Sequence, residues 1–311
     1  MKSASSLDSA ASVIRVARQL SHVQVPSPAG GETAERFSVL SEVAAVDLAL
    51  SRIVEGHLDA VAILDEAGAR PHDGLYGVWA ADSNGVTVSK IGSSHRLNGR
   101  KRFCSGATGI DYALVTTSDG SMFDVELRQS GVVPVAGTWP AVGMAASDSL
   151  DVVFENAEVS APIALPSFYL ERPGFWHGAV GVAACWFGGA LGAWRMLRAR
   201  LQQKLTSHQA VHAGVILAEC EIMRSAIERA AHEIDESGRK PDPSGKRRAL
   251  LVRHIVERGC MTVVEHVGRA GGTTPLVYDS AHARRIPDLM VYLRQHHAEA
   301  DLEELGRLAV V

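Results

Sequence analysis

The feature that most constrains this chain is a block of alternating, turn-punctuated sequence between residues 74 and 160, set between two long helical stretches. Two segments define it: LNGRKRFCSGATGIDYALVTT, Leu97 to Thr117, and WPAVGMAASDSLDVVFENAEV, Trp139 to Val159. Asn98-Gly99 reads as a tight hairpin turn, because both residues tolerate positive φ. In the second segment a Gly143-Met144 turn precedes a strand, with Val152 and Phe154 on one face and Val153 and Glu155 on the other. Further short runs (LYGVWAA, GVTVSKIG, DYALVTT, MFDVELR, GVVPV) alternate with Gly, Asn, Asp and Ser turns. Short strands so spaced predict an antiparallel barrel or sandwich.

The flanks read as helices. Residues 7–22 and 33–68 carry helical periodicity, with Val43, Val46, Leu50, Ile53 and Val54 apolar and Asp47, Ser51, Arg52 and Glu55 polar. The segment 26–31, Pro-Ser-Pro-Ala-Gly-Gly, separates them. After Pro166 the pattern is helical again, with breaks near Thr206-Ser207, at 241–245 and at Gly271-Gly272. The predicted fold is α+β with segregated elements. Its parts are N-terminal helices at 1–73, a middle antiparallel β domain at 74–165 and a C-terminal helical bundle at 166–311.

Composition narrows the partners. A formal net charge of −4 over 311 residues gives no reason to expect nucleic acid or an anionic membrane as the partner. The four cysteines, at 104, 185, 220 and 260, form no CxxC pair, which fits free thiols in a reducing cytosol. The uncharged stretch 178–194, GAVGVAACWFGGALGAW, is slightly short for a bilayer span and rich in small residues. It is expected to be a buried helix packed closely on its neighbours. No membrane contact is expected. His208 and His212 stand at i, i+4 on a predicted helix, two ligands with no third beside them. The basic residues Arg239, Lys240, Lys246, Arg247 and Arg248 read as a solvated loop, with a phosphate site as the alternative. No P-loop, GxGxxG or GxSxG is present.

The middle block, read with the helical segments after it, resembles the acyl-CoA dehydrogenase family of flavoproteins over residues 35–290, most clearly at 74–160. That resemblance implies a C-terminal four-helix bundle, an FAD cofactor and a dimer or dimer of dimers. The partner is a second copy of the chain or a paralogous subunit. Phe103, Cys104 and Ser105 match a family segment that meets the flavin ring, with the Ser105 hydroxyl near the flavin N5. Gly77, Val78, Trp79 and Ala80 match a second flavin-contacting segment. It lacks the family's Thr-Glu, so Trp79 and Ala80 retain backbone contacts only. For Phe103 and Trp79 the alternative is a place in the β-domain core. Gly271 and Gly272 match a double glycine that approaches the nucleotide of a neighbouring subunit. A plain helix C-cap explains the same pair.

The inferred reaction is α,β-dehydrogenation of an acyl thioester, such as an acyl-CoA. Two alternatives stand beside it: a flavin-dependent monooxygenase or oxidase acting on a non-CoA small molecule, or a catalytically degenerate subunit. The alternatives arise from departures. The family's arginine segment that grips the adenine end is absent, and residues 202–208 are a shortened substitute. The catalytic glutamate is not found. Asp279 is the carboxylate nearest one family position, and a helix N-cap is its competing role. His177 lies near the other position and is a base candidate at neutral pH. His296 and His297 are candidates on the monooxygenase branch, or cations at a helix end.

Overall fold

In the computed structural model, which describes residues 7–92 and 94–310, the chain divides into two compact units built from discontinuous segments. The first holds residues up to 24, 52–141 and 145–175. The second holds 25–51, 142–144 and 176 onward. The N-terminal helices are shared between them. α1 (Ala10–Leu20) and most of α3 (Leu48–Glu66) belong to the first unit, and α2 (Thr33–Val46) belongs to the second.

The first unit carries both sheets. β1 (Tyr76–Trp79), β4 (Tyr112–Thr116) and β5 (Met122–Glu126) form one, in the order β1-β4-β5. β2 (Val86–Ile91), β3 (Ser94–Cys104), β6 (Val132–Val135) and β7 (Leu150–Val159) form the other, in the order β2-β3-β7-β6. All pairings are antiparallel except β1 with β4. Each expected strand is present, rich in the β-branched and aromatic residues that suit a pleated sheet. The apolar face of α3 packs on the three-stranded sheet through Ala60, Ile63, Leu64, Tyr76, Val78, Leu114 and Met122.

Asn98-Gly99 is not a turn. Both residues lie in mid-β3, and the chain reverses earlier, between Ile91 and Ser94, with Gly92 at φ +63°. The pairing of β3 with β7 slips between Leu97 and Gly99, where β7 carries an extra residue. The Asn98 side chain accepts the Asn156 N–H at 2.9 Å, and Asn156 itself stands at φ +52°. Gly99, at φ +128°, lies where a Cβ would come within 2.2 Å of the Gly85 carbonyl oxygen. The dipeptide thus serves a β-bulge and a close strand approach.

The second unit is helical: α2, then α5 (Gly174–Leu201), α6 (Ser207–Ser237) and α7 (Gly245–Gly271). The shorter α8 (Thr273–Tyr278), α9 (Ser280–Tyr292) and α10 (Glu299–Ala309) come after these, while α4 (Phe168–Glu171) belongs to the first unit. The expected single helix over 33–68 is two. Asp47, at φ −156°, ends α2, and its carboxylate accepts the Leu50 N–H at 2.9 Å, capping α3. Thr206 and Gln209 form a capping box at the start of α6.

The uncharged stretch is the core of α5. By length and composition this helix passes as a membrane span, but 78% of its most apolar window is buried within the protein. Its glycines receive α2. A Cβ on Gly188 would meet the Ser41 carbonyl oxygen at 2.2 Å, and one on Gly192 the Ala45 carbonyl oxygen at 2.5 Å. The Ser41 hydroxyl donates to the Ala184 carbonyl at 2.9 Å across the same seam.

Gly188→Ala is therefore expected to lower stability by about 1–3 kcal/mol, the usual cost of overpacking a rigid contact. Gly214, exposed on α6 with nothing within 4 Å of its notional Cβ, is the control. Gly214→Ala is expected to raise stability by about 1 kcal/mol through helix propensity. Thermal and urea unfolding of the two variants check the opposed signs.

Candidate functional site

The last residues of β3 are the most unusual part of the first unit. A second slip in the β3–β7 pairing falls between Lys101 and Cys104, and here the extra residue is on β3. Phe103 takes it up at φ +61°, a conformation bulky side chains rarely adopt. The bulge turns the ring outward, leaving the residue 54% exposed. It meets Trp139 edge-on at 6.3 Å between centroids, with the Arg102 guanidinium 5.8 Å from its centroid. Bulges concentrate where a side chain must be re-aimed, and non-glycine residues at positive φ concentrate at functional sites.

Cys104, just after Phe103, and Lys101, two residues before it, are anchored inward. Cys104 is buried, and burial pushes its thiol well above the ordinary range. Lys101 is fully buried. Its ammonium donates to the Thr116 carbonyl at 2.8 Å, the Thr116 hydroxyl at 2.9 Å and the Asp82 carbonyl at 3.3 Å. Burial brings its pKa down to about 8, against the pull of Cys104 and Asp82. Lys101 thereby ties β3 to β4 immediately before the bulge.

Ser105 is buried, and its hydroxyl is engaged within the protein. It accepts from Arg52 Nε at 3.2 Å and lies 2.9 Å from the Ser149 hydroxyl, which is 2.8 Å from that of Ser147. Arg52 in turn pairs with Glu55. Trp79 is 1% exposed and donates its indole N–H to the Ser105 carbonyl at 3.1 Å. The Trp79 ring is thus a core aromatic that fixes the strand end from behind. Trp79 and Phe103 to Ser105 are brought together, with Ala80 directly after Trp79 at the end of β1. In the sequence Arg52 and Glu55 read only as the polar face of a helix. Their i, i+3 spacing is the available signal, and the burial of Glu55 is not legible there.

The other expected residues lie in the second unit. His177 is buried in the first turns of α5. Gly271 ends α7, and Gly272 caps it at φ +63°, its N–H donating to the Gly268 carbonyl. Asp279 caps α9: its carboxylate accepts the His282 N–H at 3.0 Å and lies 3.5 Å from Arg200. His296 is buried, with Nδ1 accepting the Ala298 N–H at 3.1 Å. His297 is exposed, 3.2 Å from the Asp301 carboxylate.

In the sequence Asp288 enters only as the last residue of the 283–288 segment, a loose match to the family's Arg-x-x-Arg-Asp segment; in the structure it is 2% exposed. Its carboxylate accepts the Met144 N–H at 2.5 Å and so holds the 142–144 segment against α9. Nearby, Arg284 pairs with Asp47 at 3.2 Å, and Arg285 donates to the Ala45 and Val46 carbonyls, each at 2.8 Å. Burial raises the Asp288 carboxyl to about 6.

No family model and no curated protein matches this sequence. Solved structures match at the level of fold. Methanesulfinate monooxygenase from Pseudomonas fluorescens is similar with a TM-score of 0.80 and 19% identity, over 95% of this chain and 88% of that one. FMN-bound TdsC, a dibenzothiophene monooxygenase from Paenibacillus sp. A11-2, gives 0.79 and 17%, over 96% and 88%. XiaF from a Streptomyces species, in complex with FADH2 and glycerol, gives 0.75 and 15%, over 95% and 87%. The chain has the α+β, acyl-CoA dehydrogenase-like fold of these structures.

The Asp288 latch predicts a pH signature. Native Asp288 keeps its proton to higher pH than the unfolded chain does. Between roughly pH 4 and 6 the folded state therefore binds more protons, and this group's contribution to stability falls as pH rises. Asp288→Asn keeps an acceptor for Met144 and cannot ionise. Its thermal midpoint minus that of the wild type is expected to climb from pH 4 to pH 6.5 and then level off. A flat or falling difference would contradict a buried, proton-retaining carboxyl.

Proposed function

We propose that this protein is a flavin-dependent oxidoreductase, and that the monooxygenase or oxidase reading, on a small molecule other than an acyl-CoA, fits it better than acyl-thioester dehydrogenation. The observation that carries the proposal is the bulge at Phe103. It puts an exposed aromatic ring, flanked by Trp139, at the strand end where the resemblance expects a flavin ring to lie. The residues present fit such a group. Phe103 offers a flat apolar face, and Cys104 and Ser105 offer backbone on a strand end held rigid by Trp79, Lys101 and Arg52. When bound, a flavin supplies two-electron redox chemistry, and in its reduced form it can react with dioxygen.

The preference between the two reactions rests on the missing base. Removing a proton α to a thioester needs a carboxylate kept in an apolar pocket. Asp279 caps a helix and faces Arg200 instead. An oxygen-transfer reaction has no such requirement, and two of the similar structures are of enzymes named as monooxygenases. His177 and His296, both buried and imidazole-bearing, are proton-handling candidates that remain. FMN and FAD are both admitted, since similar structures contain FMN in one case and FADH2 in another. A homo-oligomer, or pairing with a paralogous subunit, belongs to the same reading.

The expected result is saturable binding of FMN or FAD, oxidised or reduced, followed by flavin absorbance and fluorescence. Phe103→Ala is expected to weaken binding about tenfold, the loss of one aromatic stacking contact of about 1–2 kcal/mol. Bound flavin that is not bleached by a panel of acyl-CoAs would support the monooxygenase or oxidase reading; bleaching would restore the dehydrogenase. Failure to bind either flavin in either redox state would overturn the proposal.

A further inference from the structure

The histidine at 212 finds its partner across a helix seam, on α7. His212 of α6 meets His266 of α7 with the two Nδ1 atoms 3.0 Å apart. The rings are inclined at 68°, with centroids 5.0 Å apart. Both side chains are half-buried, within reach of solvent. We propose that this pair is a binding site for a divalent transition-metal ion of the zinc, copper or nickel type.

The spacing of the two nitrogens supports this. Two imidazole nitrogens bound to one zinc ion at about 2.0–2.1 Å, at a near-tetrahedral angle, lie about 3.3 Å apart. The pair stands within a few tenths of an ångström of that chelating distance. Without a metal the contact needs two different tautomers, since one Nδ1 must donate and the other accept. A metal ion lets both nitrogens act as electron-pair donors and removes that constraint.

The frame that holds the two rings is stiff. Gln209, one turn before His212, donates to the Ala270 carbonyl at 3.1 Å, one turn after His266. Further along the seam, Gly259 of α7 receives the Met223 side chain of α6, whose sulfur lies 2.7 Å from the notional Cβ. Ordering of ligands in advance reduces the entropy lost on metal binding. Arg269, on the same helical stretch, is paired with Glu265 at 2.6 Å, so its charge is partly compensated. Among the described residues no group of three or more His, Cys, Asp or Glu side chains is placed to hold a metal. The site is therefore a two-imidazole clip, with water completing the coordination sphere. Its occupation would staple α6 to α7 and does not depend on the flavin reading.

The test uses the full-length chain without a metal-affinity tag. Zinc chloride and, separately, a copper(II) salt are titrated by calorimetry, and copper coordination is read from nitrogen hyperfine splitting in the electron paramagnetic resonance spectrum. One ion per chain with two coupled nitrogens is expected. His212→Ala and His266→Ala should each lower the affinity at least tenfold and reduce the coupling to one nitrogen. His208→Ala should stay within threefold of wild type. Circular dichroism and the Gln variants at 212 and 266 separate lost ligation from lost folding. Loss of binding in His208→Ala with His266→Ala unaffected would place the ion on α6 alone and overturn the proposal. So would equal affinity in every variant, or no binding by the wild type.

Discussion

The approach of α2 onto α5 is the contact on which the helical unit depends. Two helix backbones meet there with no side chain between them at Gly188 and Gly192. Dispersion contacts made at that distance are numerous, and any added carbon must move a backbone that cannot yield. The Ser41 hydroxyl, bridging to the Ala184 carbonyl, fixes the sliding position of one helix on the other. Helix α9 is placed by the same contact. The C-terminal carbonyls of α2 are received by Arg285, and Asp47, which ends α2, is received by Arg284. Both arginines lie on α9. Asp288, one turn further along, holds Met144 by its backbone N–H. A glycine seam, two arginines and a buried carboxyl thus form one continuous chain of constraint from α5 to the 142–144 segment.

In the sheet unit the corresponding constraint is the pairing of β3 with β7 and its two slips. An undisturbed antiparallel pair would alternate its side chains strictly, and Phe103 would take its face by parity alone. The extra residue on β3 breaks the parity at that point. The cost of a bulky residue at positive φ is met by the fixed surroundings: Lys101 saturated by Thr116 and Asp82, Trp79 bonded to the Ser105 carbonyl, and Arg52 bonded to the Ser105 hydroxyl. A strained, exposed aromatic on an over-determined base is the arrangement expected of a ligand platform rather than of a core position.

Much of this architecture is legible in the residues. The strands come from alternation between turn residues, and the helix boundaries at Thr206, at 241–245 and at Gly272 come from cap and breaker chemistry. The Gly/Ala-rich stretch is the buried, closely packed helix that its composition predicts. Local signals fail where the deciding partner is distant in sequence. Asn98-Gly99 has the chemistry of a turn, but what it answers is the Gly85 backbone and the Asn156 N–H across two strand pairings. Asp47, Ser51 and Glu55 read only as polar helix positions and are all buried; Asp47 accepts the Leu50 N–H and pairs with Arg284, and Glu55 pairs with Arg52. Asp288 closes a segment, 283–288, that matches the family's Arg-x-x-Arg-Asp only loosely. Its partner, the Met144 N–H, lies more than a hundred residues earlier in the sequence.

The chemistry of the site turns on what a carboxylate is doing where it stands. Asp279 is engaged at the helix start it caps: its carboxylate accepts the His282 N–H at 3.0 Å and lies 3.5 Å from the Arg200 guanidinium. Those contacts keep Asp279 at the helix start, not in the apolar pocket that an α-proton base requires. If Asp279 moved to serve as that base, α9 would lose its cap, and α9 carries Arg284, Arg285 and Asp288. Structural duty and the dehydrogenase chemistry therefore compete for one side chain. An oxygen-transfer reaction of the kind proposed makes no such demand on Asp279.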